Sequence, residues 1–125
     1  MIHIHLSLMP PPLSSLTANK AKVGRVSSER ARGWRNAMGW ELKTQRPKPI
    51  RGQVDVRVSM GPPRKGADID NRLKALLDLL VEHKLIEDDS WPIVRSVSAE
   101  WSEGVKGCVV AVFPVAGAVN LEAAE

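Results

Sequence analysis

The sequence has little cysteine, few aromatic residues and no long apolar run. Its single cysteine, Cys108, excludes an internal disulfide and leaves too few thiolates for a cysteine-rich zinc site, which fits a cytoplasmic protein. Aromatic residues make up 4% of the 125 residues, so an aliphatic core is expected and a platform that stacks successive unpaired bases is not. No apolar run approaches the ~18–20 residues of a membrane helix, and no basic residue precedes the short apolar start, so neither a membrane association nor a signal peptide is expected.

Several motifs that handle nucleotides, esters or calcium are also absent. The chain has no G-x-x-x-x-G-K-[ST] or G-x-G-x-x-G loop, so no nucleotide cofactor is expected. It has no G-x-S-x-G segment or Cys–His pairing that would indicate acyl transfer. An EF-hand loop would need glycine where Leu73 stands.

Charge is divided unevenly along the chain. Residues 1–66 contain 13 Lys or Arg and 3 Asp or Glu, whereas residues 67–125 contain 5 and 11. A basic half attracts polyanions. Carboxylates that lie close together in an acidic half repel one another unless a cation is near. A protein that holds nucleic acid and a divalent metal together would meet both needs; uneven charge on solvated faces is the alternative.

Hydrophobic periodicity predicts four strands and two main helices. A polar, basic surface loop is expected over residues 14–27, and Ser28 is the expected N-cap of the first helix. The pattern indicates an α+β domain over residues 1–114, with a mixed sheet of about four strands, two helices packed on it and a closing hairpin. Residues 115–125 are expected to form a frayed C-terminal tail. The predicted strands cover 2–8, 53–60, 91–101 and 108–113, and the predicted helices cover 29–42 and 68–84.

The residues with the clearest chemistry are the acidic motif Asp68-Ile69-Asp70-Asn71, then Lys74, and the later pair Asp88-Asp89. Three carboxylates suit Mg²⁺ or Mn²⁺, which prefer oxygen ligands. A cation held there can bind a phosphodiester oxygen and lower the pKa of a bound water, and Lys74 can neutralise charge that grows on the phosphorus. The alternative is structural: Asp68 caps the helix and Asp70 favours its N-terminal dipole.

At these residues the sequence resembles the RusA family of Holliday junction resolvases. That family has a basic stretch, Asp-x-Asp-Asn, a Lys four residues after the second Asp, and an Asp-Asp pair beyond an amphipathic helix. The corresponding residues are Arg64-Lys65, Asp68-Ile69-Asp70-Asn71, Lys74 and Asp88-Asp89. The resemblance is good over residues 54–113 and looser before them. One departure is Ala67, at a position that is often basic in the family.

The resemblance implies an α+β homodimer that resolves four-way DNA junctions with Mg²⁺, for which Mn²⁺ can substitute. It implies that Asp68, Asp70 and Asp89 bind the metal and act in catalysis, and that Lys74 is the essential lysine. Two identical sites about a two-fold axis would nick opposed strands of the junction. Because phosphate contacts position DNA, the basic half is expected to hold the backbone. The DNA-binding candidates are Arg32, Arg35, Arg64, Lys65, Asn71 and Arg72.

Two other hypotheses stay open. A non-catalytic module would bind branched nucleic acid and use its carboxylates only as helix caps. A phosphohydrolase for small phosphate esters is the third, which the basic half and the missing nucleotide loop disfavour. Most of the tryptophans are expected to pack in the core or at a dimer interface, with stacking on unpaired bases at the crossover as the alternative. They are Trp34, Trp40, Trp91 and Trp101.

Overall fold

The computed structural model describes residues 1–21, 23–63 and 65–120. Two short 3₁₀ helices, Leu13–Ser15 and Asp70–Arg72, accompany the α-helices α1 (Glu29–Thr44) and α2 (Leu73–Glu82). The strands are β1 (Ile2–Leu6), β2 (Thr17–Lys20), β3 (Gly24–Ser27), β4 (Ile50–Arg51), β5 (Val54–Met60), β6 (Val94–Trp101), β7 (Cys108–Pro114) and β8 (Val119–Asn120).

The main sheet has four strands in the order β1-β7-β5-β6. β7 is antiparallel to β1 and β5, and β6 is parallel to β5. This confirms the predicted α+β fold with a mixed four-stranded sheet and two helices. The predicted closing hairpin is wrong, because β5 lies between β6 and β7. The apolar run of β7 suits an interior strand, which has a paired strand on each side. The serines and charged residues of β6 suit an edge strand that is exposed to solvent.

The core lies between one face of the sheet and the two helices. Alternate residues of β1, β5 and β7 are buried, so each strand presents one apolar side to the helices. Leu76, Leu79 and Leu80 of α2 join Trp34, Met38 and Leu42 of α1 in the same cluster. The opposite face carries exposed or half-buried side chains, including the exposed His3 and His5.

The start of α1 agrees with the prediction. The Ser28 hydroxyl accepts a hydrogen bond from the backbone N–H of Ala31 at 3.0 Å, which satisfies one of the free donors at the helix N-terminus. The helix continues two residues beyond the predicted end, to Thr44. Gly39 lets α1 approach the loop after α2, because a Cβ at this position would lie 3.0 Å from Nε2 of His83.

The predicted loop over residues 14–27 is wrong in its larger part. A 3₁₀ turn is followed by β2 and β3, which pair as an antiparallel hairpin. Apolar alternation could not reveal this hairpin, because β2 is exposed along its whole length and β3 along half of it. Of the predicted tail, residues 115–118 form a turn and β8 pairs with β4, while residues 121–125 lie outside the described residues. Within the part described, no helix is long and apolar enough to cross a membrane.

Candidate active site

The first acidic segment follows β5 through a loop that passes very close to another turn. A Cβ on Gly61 would lie 2.0 Å from the carbonyl oxygen of Val105, so only glycine fits there. Beyond this loop, Ile69 and Leu73 pack against the core. The carboxylates of Asp68 and Asp70, next to these anchors, stay exposed to solvent. The alternation of apolar and acidic residues thus fixes the backbone while it keeps the two carboxylates available.

Arg72 anchors the same segment from inside the protein. Its side chain is 8% exposed, and its guanidinium donates a hydrogen bond to the carbonyl of Pro10 at 2.8 Å. This bond joins the 3₁₀ helix of Asp70 to the proline-rich turn after β1. The placement differs from that expected for a phosphate contact at the surface, so a DNA-binding role for Arg72 stays a prediction.

Lys74 connects the start of α2 with the acidic loop that follows the helix. Its Nζ lies 2.9 Å from Oδ1 of Asp78 and 3.1 Å from Oδ2 of Asp89. The hydrogen bond that the Lys74 ammonium donates to Asp78, followed by the one that it donates to Asp89, raises the pKa of Lys74 above its usual value. The chain therefore returns after α2 and brings Asp89, 15 residues further on, back to the first turn of the helix.

The neighbouring acids Asp88 and Asp89 have different surroundings. The Asp88 carboxylate accepts hydrogen bonds from the Ser90 hydroxyl at 2.7 Å and from the Asp89 backbone N–H at 2.8 Å. These two bonds, the Ser90 bond first, lower the pKa of Asp88. Asp88 therefore organises its own loop, whereas Asp89 pairs with Lys74.

The three predicted metal ligands have suitable chemistry but do not form a closed cluster. Asp68, Asp70 and Asp89 all supply carboxylate oxygens, which suit a hard divalent cation. Oδ2 of Asp68 accepts a hydrogen bond from the side chain of Asn71 at 3.2 Å. Across residues 1–21, 23–63 and 65–120, no group of three or more His, Cys, Asp or Glu is arranged to hold a metal ion. The ligand roles of the three acids therefore stay predictions.

The basic candidates differ in how they are placed. The guanidinium of Arg32, on the exposed side of α1, donates to the carbonyl of Ser27. Arg35 is half-buried, and its Nη1 lies 3.4 Å from the Ser27 hydroxyl. Lys65 is exposed in the loop before the acidic motif, and Arg64 lies outside the described residues. Arg32 and Lys65 therefore lie on the exposed surface, as a phosphate contact requires.

A cavity of about 400 Å³ lies beside Lys74. Helix α2 lines it with Lys74 and Asp78, and α1 lines it with Arg35. The β2–β3 hairpin contributes Arg25. Neither Arg25 nor Asp78 was a predicted site residue. The spacing of Lys74 and Asp78, four residues apart on a helix, signals their ion pair, but nothing in the sequence indicates that the hairpin brings Arg25 to the same cavity.

The four tryptophans fall into two groups. Trp34 packs in the core as expected, with its indole N–H donating to the carbonyl of Leu8 at 3.2 Å, and Trp101 is partly buried against the core. Trp40 and Trp91 are 70% and 74% exposed. Core packing is thus confirmed for Trp34 and Trp101. Trp40 and Trp91 lie outside the core of the single chain, and for them a dimer interface and base stacking stay predictions.

Comparison with known proteins agrees with the family resemblance of the sequence. The model of the family Endodeoxyribonuclease RusA matches residues 10–112. The chain is also 28% identical over 120 residues to the crossover junction endodeoxyribonuclease RusA of Aquifex aeolicus (strain VF5), covering 90% of this chain and 91% of that protein. The family match includes both acidic segments, Lys74 and the hairpin. The chain belongs to the RusA family of endodeoxyribonucleases.

Proposed function

We propose that the protein is a Mg²⁺-dependent, structure-specific endonuclease that resolves four-way DNA junctions by paired symmetric nicks in recombination and repair. The observation that carries the proposal is the 3.1 Å ion pair between Lys74 and Asp89. It joins the two parts of the acidic motif, which 15 residues separate in the sequence. The relative from Aquifex aeolicus, named a crossover junction endodeoxyribonuclease, supports branched DNA as the substrate.

In this proposal Asp68, Asp70 and Asp89 hold Mg²⁺, or Mn²⁺ in its place. The bound cation would polarise the scissile phosphodiester and lower the pKa of a water molecule. Lys74 supplies a positive charge near the phosphate, since a lysine ammonium is protonated at neutral pH. Asp88 holds the loop that presents Asp89. Separate roles for the two neighbouring acids follow from their different hydrogen bonds.

The basic half holds the DNA backbone outside the acidic centre. Arg32 and Lys65 are exposed and suit phosphate contacts. Paired nicks require two active sites, so we propose a homodimer in which a two-fold axis relates them. Further DNA contacts are proposed for Arg35, Arg64, Asn71 and Arg72.

One observation favours the alternative, a module that binds branched DNA without cutting it. Asp68 bonds to Asn71 and Asp89 to Lys74, so two of the three carboxylates already have partners within the protein. In such a module these bonds would serve only to fix the start of α2. Metal dependence separates the two functions.

The test uses the purified protein, a labelled synthetic four-way junction and a linear duplex of the same sequence. We expect nicks in the junction with Mg²⁺ or Mn²⁺ and none with chelator, whereas the duplex stays intact. Binding of the junction should weaken steeply as salt rises. Tight, salt-sensitive binding without nicks under either metal would replace the proposal with the binding module.

A further inference from the structure

The cavity beside Lys74 has the size of a small-molecule site. Its volume of about 400 Å³ lies within the range of roughly 300–1,000 Å³ that ligand pockets occupy. The β2–β3 hairpin closes one side, and α1 and α2 form the others. It adjoins the candidate active site, because Lys74 belongs to both.

Six of the residues that line the cavity are apolar, and together they are called the apolar wall below. The residues of this wall come from four separate segments, which are the turn after β1, the 3₁₀ turn and the two helices. Such a wall favours a flat apolar group, since burial against it removes apolar surface from water. The wall residues are Pro11, Leu13, Leu16, Ala31, Trp34 and Ala75.

Three cations, called the rim cations below, also line the cavity. Arg25 is held in place by the hydroxyl of Thr17, which accepts from its Nε at 3.1 Å. Arg35 lies on the α1 side and Lys74 on the α2 side, and Asp78 supplies one carboxylate among these three cations. A ligand that combines an apolar ring with a negatively charged group matches this division of the surface.

We propose that the cavity holds one unpaired nucleotide of the branched DNA, next to the strand that the active site cuts. The base lies against the apolar wall, and Arg25 and Arg35 contact its phosphate. Enzymes that modify a base take it out of the stack and hold it in a pocket, and a nuclease pocket beside the cut strand can hold a base in the same way. This inference rests on the proposed function, because it names how the same site grips its substrate.

Binding of abasic junctions tests this proposal. Four-way junctions that carry one abasic residue, moved stepwise across the crossover, are titrated with the full chain in chelator and followed by fluorescence anisotropy. At one position the missing base should weaken binding by about 10-fold, because the apolar contacts between that base and the wall are lost.

Two variants connect that loss to the cavity. Leu13→Trp fills the apolar wall from a side chain that is 55% exposed, so the core is spared, and Arg25→Gln removes a rim cation. Leu13→Trp should bind the intact junction about 10-fold more weakly than the parent does. Within this variant, the same abasic residue should weaken binding by less than a further ~2-fold. Lys48→Gln, an equal charge change at an exposed residue outside the cavity, should leave the abasic effect at its full size.

The outcomes separate this inference from the proposed function. Equal abasic losses in the parent and in Leu13→Trp, or no sensitive position at all, would overturn the pocket while junction cleavage stands. Equal weakening by Arg25→Gln and Lys48→Gln would overturn the phosphate contact. A parent that binds junction and duplex alike would overturn the proposed function, and the pocket with it.

Discussion

The apolar core and the candidate active-site residues Asp68, Asp70, Lys74 and Asp89 are held in place in opposite ways. Core positions are buried, apolar and surrounded, as at Leu79, which is 1% exposed. In the candidate active site Asp68, Asp70 and Lys74 are exposed, and a few hydrogen bonds and ion pairs hold the side chains in place. Changes in the core should therefore alter stability, and changes of the candidate active-site residues should alter cleavage.

The largest expected effect is on cleavage, from Asp70→Asn. The exposed amide keeps the shape of the side chain and removes a charge, so cleavage should fall roughly 1,000-fold or more, about 4 kcal/mol in barrier. Junction binding and the melting temperature should stay near parent values. Single-turnover cleavage and anisotropy measure the two effects. Cleavage near the parent rate would exclude Asp70 as a ligand.

The core should show the reverse pattern. Leu79→Ala leaves a cavity under α2 and should lower the free energy of unfolding by about 2–5 kcal/mol. The enzyme that stays folded should cut at nearly the parent rate. Urea denaturation gives the stability, with Leu8→Ala as a control because Leu8 is 51% exposed. A loss of less than about 0.5 kcal/mol for Leu79→Ala would contradict its place in the core.

Lys74→Ala separates an effect on cleavage from an effect on stability, because Lys74 is a candidate active-site residue and also forms two ion pairs. We expect cleavage to fall about 100-fold and junction binding to fall only a few-fold. The stability change should be small, since exposed ion pairs contribute about 0–1 kcal/mol. Equal losses in cleavage and binding would make Lys74 a DNA anchor instead. The same two assays decide between these outcomes.

Helix capping should give a smaller effect on stability alone. Ser28→Ala removes the acceptor for the Ala31 N–H and should cost about 1 kcal/mol in unfolding free energy. Thermal unfolding monitors it, with Ser98→Ala on the exposed edge strand as the matched change. Equal stability of the two variants would show that the cap contributes nothing measurable.

The smallest expected effect is the contribution of Glu41 to the pH dependence of the unfolding free energy. The Ser7 hydroxyl, followed by the Ser7 backbone N–H, donates to this carboxylate and lowers its pKa from the usual value. The bonds therefore add stability above the unfolded pKa, and this contribution is lost as pH falls through the folded pKa, in the range below about 4.5. Unfolding free energies measured from pH 7 to pH 3 should fall less steeply for Glu41→Gln. An unchanged slope would contradict this role.

The sequence predicts the regular part of the fold well because burial leaves a periodic pattern. The bounds of β5 and the N-cap at Ser28 follow from alternation and capping rules. The hairpin β2–β3 could not be predicted because it buries little apolar surface and so leaves no periodic pattern. The strand order could not be predicted because pairing on both sides of β5 depends on contacts between residues distant in sequence. For the candidate site, residue types and spacing predict roles for Asp70 and Lys74, but only the folded chain shows that Lys74 contacts Asp89.

The central claim is that this chain cuts four-way junctions symmetrically. The most direct measurement maps the nicks on a junction labelled in turn on each of its four strands, with Mg²⁺ present. The account predicts nicks at matching positions in two opposed strands near the crossover, absent from Asp70→Asn. Nicks scattered over all strands, or a bound junction that stays intact, would contradict it.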